Sequence, residues 1–374
     1  MKYRASTTNI TSEMTTVFTN ITTRYTGNLY TTFPEYLAGD FLFKYVSPFV
    51  LFVGVLLNCL CFLVLTCTNM RKTSSSVYLS ALAVCDTFNL LVTLTNHWLI
   101  RQFQFYYRDT DEIICRLSRF LAYFLAHICA WLLAAVTFER MFTVLLPIHA
   151  REWCTVRRAG INITIITIVL LGINLNLLWI QGSGEVTWEG KLYTVVCYVY
   201  NHDKYRHWRI HIWVWIDLVL ASILPFVLIV IGNVIIITRL VMSRRERVAT
   251  MNVRTGIQAG HYDRSRSLTV MLIVVSLAFI FLTLPVTIYY ILDEKYNSSD
   301  KHVSNQILAN MNLLRAVATE LYFINCGINF ILYCATGRRF RTKMKTLFCG
   351  RCYKTPITAR YQTATTCTSS TTNV

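Results

Sequence analysis

Three sets of residues in this chain have types and spacings suited to chemistry. Glu139 and Arg140 stand side by side at the end of the apolar stretch Ala134 to Phe142. There an ion pair can reach water or a partner, whereas at mid-membrane a charge costs several kcal/mol. Asp86 is a carboxylate inside another apolar run, and such a residue points by default to a functional site. Cys115 and Cys197 are two of 13 cysteines. No His-Glu-x-x-His metal motif and no Ser-His pair fall within an apolar run, so metal-assisted or nucleophilic catalysis is not expected, and the chain does not read as an enzyme.

These residues need elements to hold them. Of 374 residues, 54% are hydrophobic and 15% charged, with a mean hydropathy of +0.44. A soluble chain carries nearer a quarter of charged residues. The apolar residues gather into seven runs, near 42–68, 76–101, 112–145, 159–181, 209–242, 266–292 and 307–334. Each is long enough to cross the ~30 Å hydrocarbon core as a helix. The expected fold is an all-α membrane protein, a seven-transmembrane helix bundle. The 25 residues from Cys115 to Arg140 make about 37 Å of helix, so one run carries both ends of the membrane. Ala122, Ala126 and Ala130 recur every four positions along it and allow close helix neighbours.

Lys and Arg set the orientation. Arg71, Lys72, Arg151, Arg157, Arg158, Arg239, Arg244, Arg245, Arg247, Arg254, Arg264 and Arg266 share one side with the tail residues Arg338, Arg339, Arg341, Lys343 and Lys345. The other side mixes signs. The C-terminus is therefore expected in the cytoplasm and the N-terminus outside. Much of the +17 formal charge then faces anionic lipid, and nucleic acid is not an expected partner. Sequons at Asn9, Asn20 and Asn297 fall on the outer side, while the one at Asn162 lies within a helix. The first forty residues hold no apolar signal core, so no cleaved signal peptide is expected and the first helix directs insertion.

On this topology Cys115 and Cys197 alone lie on the oxidising face, so a disulfide is expected between the third helix and the loop after the fourth. Cys349 and Cys352 follow a basic amphipathic stretch and are palmitoylation candidates.

In this order the motifs resemble those of the rhodopsin-like (class A) G-protein-coupled receptors, and most nearly, by impression, invertebrate-type neuropeptide receptors. Glu139-Arg140-Met141 stands where that family has Asp-Arg-Tyr. Gly54-Val-Leu-Leu-Asn58 and Leu82-Ala-Val-Cys-Asp86 resemble its first- and second-helix motifs, and Pro147, Pro225 and Pro285 its proline positions. Asn329-Phe-Ile-Leu-Tyr333 resembles Asn-Pro-x-x-Tyr, and Gly337-Arg-Arg-Phe-Arg341 the start of a short cytoplasmic amphipathic eighth helix.

The resemblance implies that Arg140 is held by Glu139 at rest and is released toward a heterotrimeric G protein, with Pro147, Asn233, Asn329 and Tyr333 taking part. It implies no organic cofactor and a structural sodium ion at Asp86, Asn325 and Asn329, with Cys129 where a Ser is common. Several positions depart from the pattern. Thr283 takes the place of the sixth-helix Trp, Phe330 that of the seventh-helix Pro, and Asn233 that of the fifth-helix Tyr. Without a proline ring the seventh helix should run unkinked.

The family's amine receptors carry an Asp where this chain has Ala122, and its opsins a Lys where it has Phe323. What remains is a polar ring of Asn96, His97, Trp98, Arg101, Arg119, Tyr123, His127, Asp217, Tyr289, Arg315 and Glu320. Mixed carboxylates and arginines suit an extracellular peptide ligand. The plain alternative for each is an inter-helix hydrogen bond, for His127 above all. Residues 185–200 alternate in part like a strand hairpin. The expected organisation is a glycosylated tail over 1–41, the bundle over 42–334, the short helix over 335–348 and a Ser/Thr-rich tail over 349–374. That tail suits a receptor kinase and arrestin, and its end at Val374 a PDZ protein. The alternatives are an orphan chemosensory or non-signalling decoy receptor on the same fold, or a channel or transporter. The last would want inverted repeats with broken helices, which the sequence lacks.

Overall fold

The computed structural model describes residues 29–348, except 189–190, 200–204, 206–207, 250–255 and 298–303. Asn9, Asn20, Cys349, Cys352 and the tail to Val374 lie outside the described residues. Among the described residues seven helices are long and apolar enough to cross a membrane: Pro34–Cys67, Ser74–Phe103, Glu112–Leu145, Val156–Ile180, Val214–Ser243, Thr269–Asp293 and Asn305–Thr336. A shorter helix, Arg338–Phe348, follows the seventh. Phe49, Phe52, Ile168, Ile231 and Phe281 point outward from the bundle, as side chains facing lipid do.

Two boundaries differ from the sequence expectation. The first helix begins at Pro34, so residues 34–41, expected in the tail, are helical. Asp40 and Lys44 pair at 2.6 Å, one turn apart, which eases two charges into an otherwise apolar helix. Gly39 lets this extension lie against the seventh helix, since a Cβ there would meet the Asn312 side chain at 2.8 Å. The second difference is at the loop expected over 243–265. The fifth helix continues to Ala249 and the sixth starts at Gly256, so most of that loop is helix.

Local chemistry sets the ends and bends. Asp111 caps the third helix by accepting from the backbone of Ile113 and Ile114. Gln104 ends the second in a left-handed conformation, φ 53°. There the Gln104 and Phe105 amides bond back to Ile100 and Leu99. Pro225 follows a wide π-type turn, Val219–Ile223, because its ring removes a donor and crowds the preceding turn. With Phe330 in place of proline, the seventh helix is an uninterrupted α-helix from Asn305 to Thr336.

The core runs along the third helix, where Leu132, Leu133 and Val136 meet Leu79 and Leu82 of the second and Met271, Leu272 and Val275 of the sixth. The first and seventh helices touch backbone to backbone: a Cβ on Gly327 would stand 2.9 Å from the Gly54 Cα. After the fourth helix, β1 (Gln181–Trp188) pairs antiparallel with β2 (Lys191–Val199), with an irregularity between Gly182 and Gly184. Cys197 of β2 is bonded to Cys115, 82 residues away.

Candidate functional site

At the end of the bundle opposite the disulfide, Glu139 and Arg140 are both 9% exposed, with the Arg140 Nη2 3.6 Å from Glu139 Oε1. That oxygen is more tightly engaged by the second helix, whose Ser74 and Ser75 hydroxyls donate to it at 2.8 and 2.7 Å. The Arg140 Nε is buried without a partner. The carboxylate is thus fixed by two hydroxyls, and the guanidinium is held mainly by charge. Pro147 starts the short helix Pro147–Trp153 beside them. Asn233 is buried and bonds Ser276 of the sixth helix at 2.9 Å, so the residue in the fifth-helix Tyr position ties the fifth helix to the sixth. Tyr333 is buried and packs edge-on to Phe340 of the short helix, 5.5 Å between ring centres, while Phe330 packs on the same ring at 5.7 Å. Arg341 then donates to the carbonyls of Cys334 and Ala335 at 2.8 and 2.7 Å, a cation on the carbonyl end of a helix.

Midway along the bundle, Asp86 is 1% exposed and accepts from the Asn329 amide at 2.9 Å. It opens on a cavity of about 10 Å³ lined by Asp86, Asn325, Asn329, Cys129 and apolar side chains, room for one water-sized sphere. Oxygen donors suit a hard cation and a thiol does not. Asp86, Asn325 and Asn329 are the lining residues whose oxygens could hold one small cation. Asn58 donates to the Cys326 carbonyl at 2.9 Å and Asn89 to the Tyr322 hydroxyl at 2.6 Å, extending the polar network through the first, second and seventh helices. Among the described residues no group of three His, Cys, Asp or Glu is placed to hold a metal.

At the disulfide end the expected ring is only partly a ring. Arg101 reaches the Tyr36 hydroxyl at 2.8 Å and the Asn312 carbonyl oxygen at 3.0 Å, with Asp40 at 3.7 Å, joining the first, second and seventh helices. His97 stacks on Phe43 at 5.5 Å and faces Phe323 at 6.4 Å. Trp98 packs edge-on to Phe52 and Phe103, and Asn96 is buried. Glu320 is turned to the first helix, where Ser47 donates to it, and its second oxygen has no partner. His127 is fully buried between Asp217 of the fifth helix and Asn174 of the fourth, at 2.9 and 3.0 Å. Tyr123 packs on Trp213 at 5.8 Å and Tyr289 donates to Asp293 at 3.2 Å. Arg119 is half-buried and Arg315 exposed. Ser47, Ser74, Ser75, Asn174 and Ser276 were not singled out in the sequence. Ser47, Asn174 and Ser276 are small polar residues within apolar runs and Ser74 and Ser75 stand just before one, signals weak taken alone.

A seven-helix bundle with a disulfide from its third helix to a strand hairpin, a buried Asp–Asn pair at its middle and a Glu–Arg pair at one end defines a receptor of known type. A family described as 7 transmembrane receptor (rhodopsin family) matches residues 57–333, and the chain belongs to it. It is a cell-surface G-protein-coupled receptor, a multi-pass protein of the plasma membrane, and not an enzyme. It is 22% identical over 337 residues to the sex peptide receptor of Drosophila melanogaster, covering 83% of this chain and 73% of that one. The FMRFamide receptor of the same organism is 22% identical over 296 residues, 77% of this chain and 50% of its own. The human growth hormone secretagogue receptor type 1 is 25% identical over 321 residues, 83% and 80% of the two chains.

Proposed function

We propose that this receptor binds a peptide at the disulfide end of its bundle and transmits that binding to a heterotrimeric G protein at the Glu139–Arg140 end. The observation that carries the peptide reading is the polar end beneath the pinned hairpin. Arg101, Asp217, Tyr289 and Arg315 belong to four different helices there. An extended ligand with several polar groups matches such a spread better than a small amine, for which the third helix offers only Ala122. The names of the sex peptide and FMRFamide receptors favour the same class.

The N-terminus is outside in this reading and the C-terminus in the cytoplasm, following the Lys and Arg distribution. A sodium ion at Asp86 stabilises the resting bundle when bound. Asn9, Asn20 and Asn297 carry glycans, Cys349 and Cys352 lipid, and the tail to Val374 meets receptor kinase, arrestin and a PDZ protein. Cells displaying the receptor, exposed to a library of amidated peptides, test the ligand class through G-protein dissociation. Activation by a peptide at submicromolar concentration is expected. Silence to every peptide, with surface display verified and a non-peptide activator found, would overturn it.

A further inference from the structure

Asp217 is a carboxylate within a membrane span, where a charge needs a partner. Its contact is His127, whose Nε2 lies 2.9 Å from Asp217 Oδ1. Whether His127 cancels that charge depends on the other ring nitrogen, and Asn174 decides it. The Asn174 amide nitrogen donates to the Leu170 carbonyl at 2.8 Å and points at His127 Nδ1 at 3.0 Å. Turning the amide over would set its oxygen against the Leu170 carbonyl oxygen. The amide keeps its orientation although its own oxygen is buried without a partner. Both amide hydrogens are therefore committed, and Nδ1 accepts. The single ring proton sits on Nε2 and goes to Asp217. A second ring proton would face an N–H. His127 thus positions the Asp217 carboxylate and leaves its negative charge in place.

Among the described residues no Lys or Arg nitrogen lies within 4.0 Å of Asp217. The carboxylate side chain is 25% exposed while His127 behind it is fully buried, so the open side is away from the His. Tyr290 lies within electrostatic reach of Asp217 and of Arg315, so the nearest cation of the seventh helix shares this neighbourhood without pairing with the carboxylate.

The geometry points to Asp217 as the anionic seat for a cationic group of the ligand, a guanidinium or ammonium, with His127 and Asn174 as positioning residues. The inference rests on the peptide reading only for the identity of the molecule that carries the cation. A guanidinium fits such a carboxylate with paired hydrogen bonds.

The test uses the full-length receptor purified in detergent, with thermal stabilisation as readout. The probes are a mixture of amidated hexapeptides with one position fixed as Arg, the same mixture with citrulline there, and phenethylguanidinium alone. The Arg mixture should stabilise the wild type at a concentration at least about tenfold lower than the citrulline mixture. Asp217→Asn should erase that difference and Asp217→Glu should keep part of it. Asn174→Leu, which frees Nδ1, should narrow it without abolishing binding of the citrulline mixture. If phenethylguanidinium stabilises the wild type and not Asp217→Asn while both peptide mixtures fail, the seat stands and the peptide reading falls. If no cationic probe outperforms its neutral counterpart, or Asp217→Asn still prefers Arg, the seat is overturned.

Discussion

Ser75 donates to the Glu139 carboxylate at 2.7 Å, on the same oxygen that faces Arg140 at 3.6 Å. Two hydroxyls of the second helix thus restrain the acid of the pair, and the arginine is the member free to change partners. A hydrogen bond to a charged group contributes about 1.5–3 kcal/mol, enough to weight a two-state bundle. Ser74→Ala with Ser75→Ala should loosen Glu139 and raise ligand-free nucleotide exchange roughly two- to tenfold. Basal G-protein dissociation at matched surface display checks it.

Asn233 and Ser276 form a second restraint, between the fifth and sixth helices. Ser276→Ala should cost about 1 kcal/mol of thermal stability, since it leaves the buried Asn233 amide unpaired, and Asn233→Ala less, because the Ser276 hydroxyl keeps the Leu272 carbonyl at 2.7 Å. The double change should cost less than the two added together. A double-mutant cycle on melting temperature reads the coupling, expected at about 0.5–1.5 kcal/mol. Strict additivity would show that the bond contributes nothing.

The Gly54–Gly327 approach has no slack. Gly327→Ala places a methyl 2.9 Å from a backbone atom of the facing helix, so the first and seventh helices must part. A loss of about 1–3 kcal/mol is expected, seen as a lower melting temperature and weaker surface display. Gly172, which meets nothing within 4 Å, should accept Ala without loss and serves as the control.

Phe330 should be needed where a proline would be expected by resemblance. Its ring packs on Phe340, which is fully buried. Phe330→Pro removes that contact and breaks a helical hydrogen bond at a cost of about 3 kcal/mol. Reduced protection of the Arg338–Phe348 amides in hydrogen exchange is the expected sign.

These restraints show what a sequence can and cannot disclose. The spans were legible because a membrane demands twenty apolar residues in a row, and Cys115 with Cys197 because topology left no other oxidisable pair. Residues 34–41 escaped because Glu35 and Asp40 lower the local hydropathy, and the Asp40–Lys44 pairing that offsets one of them is a structural fact. Ser75 and Glu139 lie 64 residues apart, Asn174 and His127 47. No local period links them. Sequence leaves each of the eleven residues at the disulfide end open between a ligand contact and an inter-helix bond, and Arg101, His127 and Glu320 are largely engaged by neighbouring helices. Exposure and partners, the properties that separate a contact from a bolt, exist only once the helices are packed.

In the proposed function the Arg140 end of this bundle couples to a G protein. The most direct measurement is G-protein dissociation in cells displaying wild type, Arg140→Ala and Glu139→Gln at equal density, with and without an activating peptide. Wild type should respond, Arg140→Ala should lose the response while still binding the peptide, and Glu139→Gln should show raised basal dissociation. An Arg140→Ala receptor that responds as the wild type does would contradict the account.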